Sequence, residues 1–158
     1  MSNVILRSYT PEDFDRICEI RGLDTAERRE RFINRISKPG EWLDHYLHLA
    51  IEADGVLGGD FQLRHCDRTT PPGAWEMGLE LSEDVRGKGI GTKALIAGTQ
   101  YAFSHGAHRI QGSTDENNIA MRKAFEKAGW KFEGVLKALF IEDGTPHDYY
   151  SYAITKFD

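Results

Sequence analysis

The chain has 158 residues, 25 acidic and 20 basic side chains and a formal charge of -5. That length suits a single domain over 1–158 with a core of its own. Hydrophobic residues make up 40% and charged residues 28%, the balance of a soluble globular protein. No apolar run is long enough to cross a membrane, and Glu12, Asp13 and Asp15 sit where a signal peptide would need an apolar block. The negative balance argues against nucleic acid as a partner. Two cysteines, Cys18 and Cys66, form no CxxC pair and no disulfide framework, so a reduced, cytoplasmic protein is expected.

In chain order, Val4–Arg7 reads as a short strand. Thr10-Pro11-Glu12-Asp13 is a helix start, with a capping hydroxyl, Pro at the first helical position and acids near the positive end. Phe14, Ile17 and Cys18 follow at helical spacing. Asp24 or Thr25 caps a second helix through Ile36, which Lys38-Pro39-Gly40 ends. Residues 21–38 hold six basic residues against three acidic ones, a net of +3 in a chain that is otherwise acidic. This segment is either a solvated face laced with Glu/Arg pairs or a surface that meets an acidic partner.

The middle is β-rich. Strands over 48–53 and 56–63 flank Asp54-Gly55, the dipeptide of a tight hairpin. Residues 66–73 form a loop. Residues 74–81 alternate, placing Trp75, Met77, Leu79 and Leu81 on one face and Glu76, Gly78 and Glu80 on the other. Next comes Arg86-Gly87-Lys88-Gly89-Ile90-Gly91-Thr92, then a helix with Ile90, Ala94, Ala97 and Tyr101 spaced for one buried stripe. Residues 109–114 form a short strand. A helix over about 118–128 stops at Gly129, and 130–139 and 148–156 close the chain as an antiparallel pair. The pattern is one α/β layer, a mixed, mostly antiparallel sheet of about seven strands flanked by about four helices. The exposed last strands could pair two copies into a homodimer.

Three glycines in five residues, between a strand and a helix and beside Arg86 and Lys88, carry the chemistry. A helix start offers unpaired N–H groups and partial positive charge, and glycine lets backbone approach a ligand, so the loop suits a polyanion such as a pyrophosphate. It is not a Walker loop, because Gly91-Thr92-Lys93 has the wrong order. It is not the dinucleotide fingerprint either, because the third glycine comes one residue early. A kinase-like nucleotide binder is therefore disfavoured. The histidines are scattered: His45 and His48 make no metal face, and no third partner stands near His65 and Cys66 to build a nucleophile. No metal site is expected. Trp42, Tyr46, Trp75 and Trp130 read as packing residues.

Arg86-Gly87-Lys88-Gly89-Ile90-Gly91 resembles the Arg/Gln-x-x-Gly-x-Gly/Ala loop of the GCN5-related N-acetyltransferases. Asn118-Ile119-Ala120-Met121 and Phe125-Glu126-Lys127-Ala128-Gly129-Trp130 are similar to that family's downstream block. Glu76-Met77-Gly78 and Gly134-Val135-Leu136 resemble its RimJ/RimL branch. The resemblance implies an enzyme that transfers an acetyl group from acetyl-CoA to a primary amine by direct attack in a ternary complex. The leading acceptor is a protein N-terminal α-amine, and the alternative is a small polyamine or aminoglycoside. It further implies that Leu79, Glu80 and Leu81 line the pantetheine arm, that residues Arg86, Gly87, Lys88, Gly89, Ile90, Gly91 and Thr92 hold the pyrophosphate, and that Asn118 and Phe125 border the cofactor. The Leu81 amide would meet the oxyanion, and Glu76, or less strongly Glu80, would take the amine proton. The acceptor would enter between the two N-terminal helices and the last strand pair, where a basic 21–38 segment would fit a partly acidic peptide better than a polycation. The sequence departs from the family at Phe125, where many members have a proton-donating tyrosine, and at Met121, where the branch often has serine. Tyr149, Tyr150 or solvent would then supply the acid, and a catalytically weak acyl-CoA sensor is the reading from another class.

Overall fold

The computed structural model describes residues 2–65 and 67–158, so the Cys66 side of the His65–Cys66 question lies outside the described residues. Seven strands form one sheet: β1 Val4–Arg7, β2 Tyr46–Ala53, β3 Val56–Arg64, β4 Ala74–Leu81, β5 Arg109–Asp115, β6 Lys131–Glu142 and β7 Thr145–Thr155. Their order is β1-β2-β3-β4-β5-β7-β6, and every pairing is antiparallel except β4 with β5. Four α-helices flank it among the described residues: α1 Phe14–Ile20, α2 Ala26–Ile36, α3 Ile90–Ser104 and α4 Ile119–Lys127.

Local chemistry sets these boundaries. A 3-10 turn over Pro11–Asp13 leads into α1, and the Asp13 carboxylate reaches back to the Thr10 N–H at 2.8 Å while pairing with Arg7. Thr25 caps α2, its hydroxyl accepting from the Arg28 N–H at 3.1 Å. Asp54 and Gly55 both adopt positive φ, the turn that a two-residue hairpin between twisted strands requires. The last hairpin is built the same way: Asp143 and Gly144 have φ of 49° and 77°. Its strands therefore run to Glu142 and from Thr145, longer than the 130–139 and 148–156 expected.

The two sheet faces bury different material. On one face α3 and α4, the latter through Phe125, cover Phe61, Leu63, Met77, Ile110 and Tyr152. The buried side of α3 is Ile90, Ala94, Leu95, Gly98, Thr99 and Ala102, which corrects the expected stripe: Ala97 and Tyr101 are only half-buried. Gly98 lies so close to the Phe61 ring that a Cβ there would be 2.1 Å from Cζ. On the other face α1 and α2 pack Ile17, Cys18, Phe32 and Ile36 over β2 and β3.

Candidate active site

The site begins where β4 and β5 part. They pair only from Ala74–Arg109 to Glu76–Gln111, although β4 continues to Leu81 and β5 to Asp115. Met77 and Phe125 crowd this point from the α3/α4 side. A Cβ on Gly112 would stand 2.7 Å from Met77 Sδ and 3.1 Å from Phe125 Cζ, so only glycine admits them.

The ladder phase decides what β4 presents to the gap. The Ser82 N–H donates to the Gly58 carbonyl at 2.8 Å, and the β3–β4 register is continuous from there. Bonded pairs alternate in an antiparallel ladder. Glu80, Gly78 and Glu76 therefore spend their main-chain groups on β3, while Met77, Leu79 and Leu81 turn theirs toward the gap. The Arg86 guanidinium donates twice to the Leu81 carbonyl, at 3.2 and 3.1 Å, which ties the glycine loop to the end of β4.

Beyond the loop, Gly87 and Gly89 have φ of 75° and 77°, conformations that L side chains rarely adopt. Gly89 is the N-cap of α3, and the helix's first bond runs from the Lys93 N–H to the Gly89 carbonyl at 3.2 Å. The N–H groups of the first turn, from Ile90 on, thus point out of the helix end without helical partners. They open on a groove of about 480 Å³ between α3 and α4.

The groove brings together Leu79, Glu80, Leu81, Arg86, Gly87, Gly89, Ile90, Gly91, Thr92 and Asn118, all named from the sequence. Two of the residues named for the cofactor are not on its wall. Lys88 is exposed on the loop outside the lining. Phe125 is fully buried, stacked on Tyr152 at 4.8 Å between ring centroids and tilted against Trp130. It stands in the core floor beneath the groove and not on its wall. Asn118 is the N-cap of α4, its side-chain oxygen accepting from the Met121 N–H at 3.2 Å, and it also borders the groove. The sequence reading missed Ala120, Lys123, Ala124 and Lys127 on the α4 wall. Their 3–4-residue spacing on one helix face was the available signal.

The opposite face of β4 carries the ionisable groups. Across β2, β3 and β4, the register sets Ala50, Asp60 and Glu80 in one row, His48, Gln62 and Gly78 in the next, and Tyr46, Arg64 and Glu76 in a third. Asp60 has no exposed surface. Its carboxylate accepts from the Tyr9 hydroxyl (2.6 Å), Arg21 Nη1 (2.8 Å) and Gln62 Nε2 (3.1 Å), and His48 Nδ1 lies 3.0 Å away. Burial beside that carboxylate holds the Tyr9 hydroxyl protonated far above the ordinary tyrosine range. Arg21 also stands 3.7 Å from Glu80. Burial pushes the Glu80 carboxyl above the usual carboxylate range, with Asp60 adding to the rise and Arg21 and Arg86 opposing it. Glu76 accepts from Gln111 Nε2 at 3.2 Å and lies 3.8 Å from Arg64.

Tyr149 and Tyr150 of β7 fall level with Asp115 and Thr114 on β5. Tyr150 lies under the Arg122 guanidinium at 4.3 Å, and burial raises the Tyr149 phenol. Among the described residues no cluster of three metal-ligating side chains occurs.

The family described as the acetyltransferase (GNAT) domain matches residues 3–131. The chain belongs to the GNAT acetyltransferases. It is thus an acyltransferase enzyme of a family that uses acetyl-CoA. No curated protein sequence matches it. Solved GNAT structures share the fold at low identity. RimJ of Mycobacterium smegmatis in complex with CoA-disulfide superposes with a TM-score of 0.76 at 21% identity, covering 98% of this chain and 82% of that one. A single-site mutant of the spermidine N-acetyltransferase SpeG from Vibrio cholerae gives 0.79 at 17% identity, covering 97% and 94%. A ribosomal-protein-alanine N-acetyltransferase from Brucella melitensis gives 0.76 at 19%, covering 96% and 99%.

Proposed function

We propose that this GNAT enzyme acetylates a protein or peptide N-terminal α-amine, with acetyl-CoA in the α3/α4 groove and the amine over Gly78. The observation that carries this is the division of β4: main-chain groups of Met77, Leu79 and Leu81 face the gap, while on the other face Glu76 and Glu80 flank Gly78, whose missing side chain leaves its place to the Gln62 amide. The groove fits the cofactor's chemistry. Glycines at positive φ and a free helix start suit a diphosphate. Lys123 and Lys127 add charge, and Leu79 with Leu81 offer strand-like partners to the amides of the pantetheine arm. Acetyl-CoA supplies an activated thioester.

Strand geometry separates the candidate roles. At about 3.4 Å per residue, Leu81 lies about 17 Å along the strand from Glu76, so those two cannot serve one reacting centre. Leu81 stands at the loop end, with its carbonyl held by Arg86. The acyl end lies deeper in the gap, so we move the oxyanion donor from Leu81 to the Leu79 amide. Gly78 adjoins Leu79, and each glutamate is two residues from Gly78, about 7 Å. Glu80 is the base: its burial raises proton affinity toward that of the amine, and it borders the groove. Glu76, held by Gln111 and Arg64, helps hold the incoming ammonium. The neutral amine then attacks the thioester carbon, and the tetrahedral oxyanion takes the Leu79 N–H bond. As the tetrahedral intermediate collapses, the nitrogen gives its second proton to solvent and the thiolate leaves and takes one, since a thiol pKa of about 8.5 needs little help and Phe125 has no proton to give.

The test is thiol release with N-terminal peptides against pH. The Glu80→Gln variant should lose about 10²–10⁴ in kcat/KM and the acidic limb of its profile, while Glu76→Gln keeps that limb. A Glu80→Gln enzyme with an unchanged limb removes Glu80 as base, and acetyl-CoA binding without thiol release from any amine turns the reading into a sensor. Spermidine as the best acceptor would replace the peptide.

Two further assignments belong to this reading. The edge strand β6 exposes Phe132, Val135, Leu136, Leu139, Phe140 and Ile141, and a second copy covers this apolar edge. The buried free thiol of Cys18 suits a reducing compartment, and on that ground we read the enzyme as cytoplasmic.

A further inference from the structure

Beside the amine position is a hollow of about 360 Å³ between α2 and the sheet. Its floor is Tyr46, His48 and Gln62, on the same face as Glu76, Gly78 and Glu80, with Phe32 and Leu23. Its rim is Arg21, Arg28, Arg31 and Arg35, with no carboxylate among the lining residues. Helical spacing explains the convergence: Arg28, Arg31 and Arg35 recur at i, i+3 and i+7 on the side of α2 that also buries Phe32.

The carboxylates that pair with these arginines do not line the hollow. Asp24 meets Arg28 at 2.9 Å and Glu27 meets Arg31 at 2.8 Å, and both acids are largely exposed. Such i,i+4 pairs are the solvated-face arrangement and hold little energy, so a guanidinium can exchange its partner for a ligand. Arg35 reaches Asp44 only at 3.6 Å and rests over the Tyr46 ring. Arg21 spends Nη1 on Asp60 and lies over Phe32 at 4.5 Å, while its buried Nε has no hydrogen-bond partner. Four guanidinium groups converging on a hollow with no carboxylate in its lining are what a bound anion would satisfy.

The sheet sets the distance. Gln62 is directly across from Gly78, and a Cβ on Gly78 would be 3.1 Å from Gln62 Oε1. His48 is one strand further. At about 4.8 Å per strand, the hollow's floor spans about 5–10 Å from the amine position. The carboxylate of a free α-amino acid lies too close to its own nitrogen to bridge that span. An extended peptide rises about 3.3–3.6 Å per residue, so an acidic side chain at its second or third residue reaches the arginines.

We infer that the Arg21/Arg28/Arg31/Arg35 hollow is an acceptor subsite for a carboxylate, and that the preferred substrate is a peptide N-terminus with Asp or Glu at its second or third position. This rests on the amine lying over Gly78. The same hollow repels a polyamine.

The experiment uses matched peptides with Glu, Gln or Lys at the second and third positions, with free glutamate and spermidine as further acceptors. Binding to the enzyme with coenzyme A is measured by calorimetry, and turnover by thiol release. The acidic peptide should bind at least about fivefold tighter than its Gln isostere at low salt, with the ratio shrinking toward unity as salt rises. The ratio should also shrink in Arg31→Gln and Arg35→Gln variants, and Lys peptides and spermidine should bind worst. Equal binding of Glu and Gln peptides, a preference untouched by both arginine variants, or free glutamate matching the acidic peptide each overturns the subsite. Turnover of the Gln peptide equal to that of the Glu peptide would sink the subsite while leaving the acetyltransferase reading intact. Calorimetry reports on the subsite even where no thiol is released.

Discussion

The Asp60 network allows a sharp test, because one buried carboxylate holds four groups at once. In Asp60→Asn the shape is kept. The new amide can turn its oxygen toward Arg21, Gln62 and His48 and its nitrogen toward the Tyr9 hydroxyl, which can accept as well as donate. The hydrogen-bond count survives, and what is lost is the charge opposite Arg21. Breaking a buried pair by neutralising one partner costs about 3–5 kcal/mol. Arg21 keeps some exposure and has Glu80 at 3.7 Å as a second carboxylate, so the lower end, about 3 kcal/mol, applies. For a domain of this size about 2–4 °C accompanies each kcal/mol, which gives a fall in Tm of about 6–12 °C by calorimetry. Pairing with Arg21→Met should recover about 2 kcal/mol relative to the sum of the single changes, because the double variant leaves no orphaned charge. Activity gives a second readout. Asp60 raises the Glu80 carboxyl, and a freed Arg21 lowers it. The acidic limb of the Asp60→Asn rate profile should therefore move to lower pH. A Tm within about 1 °C of wild type, or additive single changes, would show that the network does not hold Arg21 as described.

Glu80→Gln should also report on stability. The folded carboxyl lies above its unfolded value, so the stability linked to its neutral form is present below the unfolded pKa and lost as pH rises through the folded one. At pH 7 the variant should be more stable than wild type by thermal melting, with the gap closing as pH falls toward about 4; a less stable variant at pH 7 contradicts this. Gly89→Ala places a Cβ at a φ of 77°, a strain of about 1–2 kcal/mol. It should weaken acetyl-CoA binding by about tenfold or more, while Gly91→Ala, at ordinary φ with neighbours no nearer than 3.6 Å, should leave the melting temperature within error. Gly98→Ala gains about 1 kcal/mol of helix propensity but drives a Cβ to 2.1–2.7 Å from the Phe61 ring. The clash dominates, and the variant should lose about 1–3 kcal/mol in denaturant unfolding. Phe140→Lys with Ile141→Lys should convert a dimer to a monomer in sedimentation; a monomeric wild type removes the β6 interface.

Much of the fold is legible where local rules act alone. Asp54-Gly55 marks its hairpin because both residues readily take the positive φ of a tight turn matched to strand twist, and the alternation over 74–81 assigns both faces of β4 correctly. Asp143-Gly144 carries the same signal, but β6 beside it is exposed along most of its length and β7 is mostly half-buried. Without a buried face there is no clean alternation to anchor their ends. The α3 stripe was misjudged for a related reason: its contacts depend on Phe61 reaching Gly98 from β3, a long-range fit that no helical period announces. At the site, the glycine loop is visible because backbone conformation restricts residue type so strongly. The four-donor cage around Asp60 is not visible. It joins residues 9, 21, 48, 60 and 62, and only the register of three strands and the docking of α1 bring them together.

The same strand also explains how two substrates can meet without sharing a pocket. A strand offers four independent outputs: side chains to each of two faces, and main-chain groups to each of two edges. On β4 the odd side chains anchor the core, the odd main-chain groups face the gap, and the even side chains carry charge to the face beneath α1 and α2. A cofactor read by main chain from one side and an amine read by carboxylates from the other then converge at Leu79 and Gly78, with Glu80 bordering both. Arg21 is where the acceptor face couples to this centre, since it touches Asp60, Glu80 and the arginine hollow together. An anion drawing Arg21 toward the hollow would weaken its hold on Glu80 and raise that carboxyl's proton affinity further. A bound acidic peptide should therefore shift the acidic limb of kcat to higher pH than a neutral isostere does, and coincident limbs for the two peptides would uncouple the hollow from the chemistry.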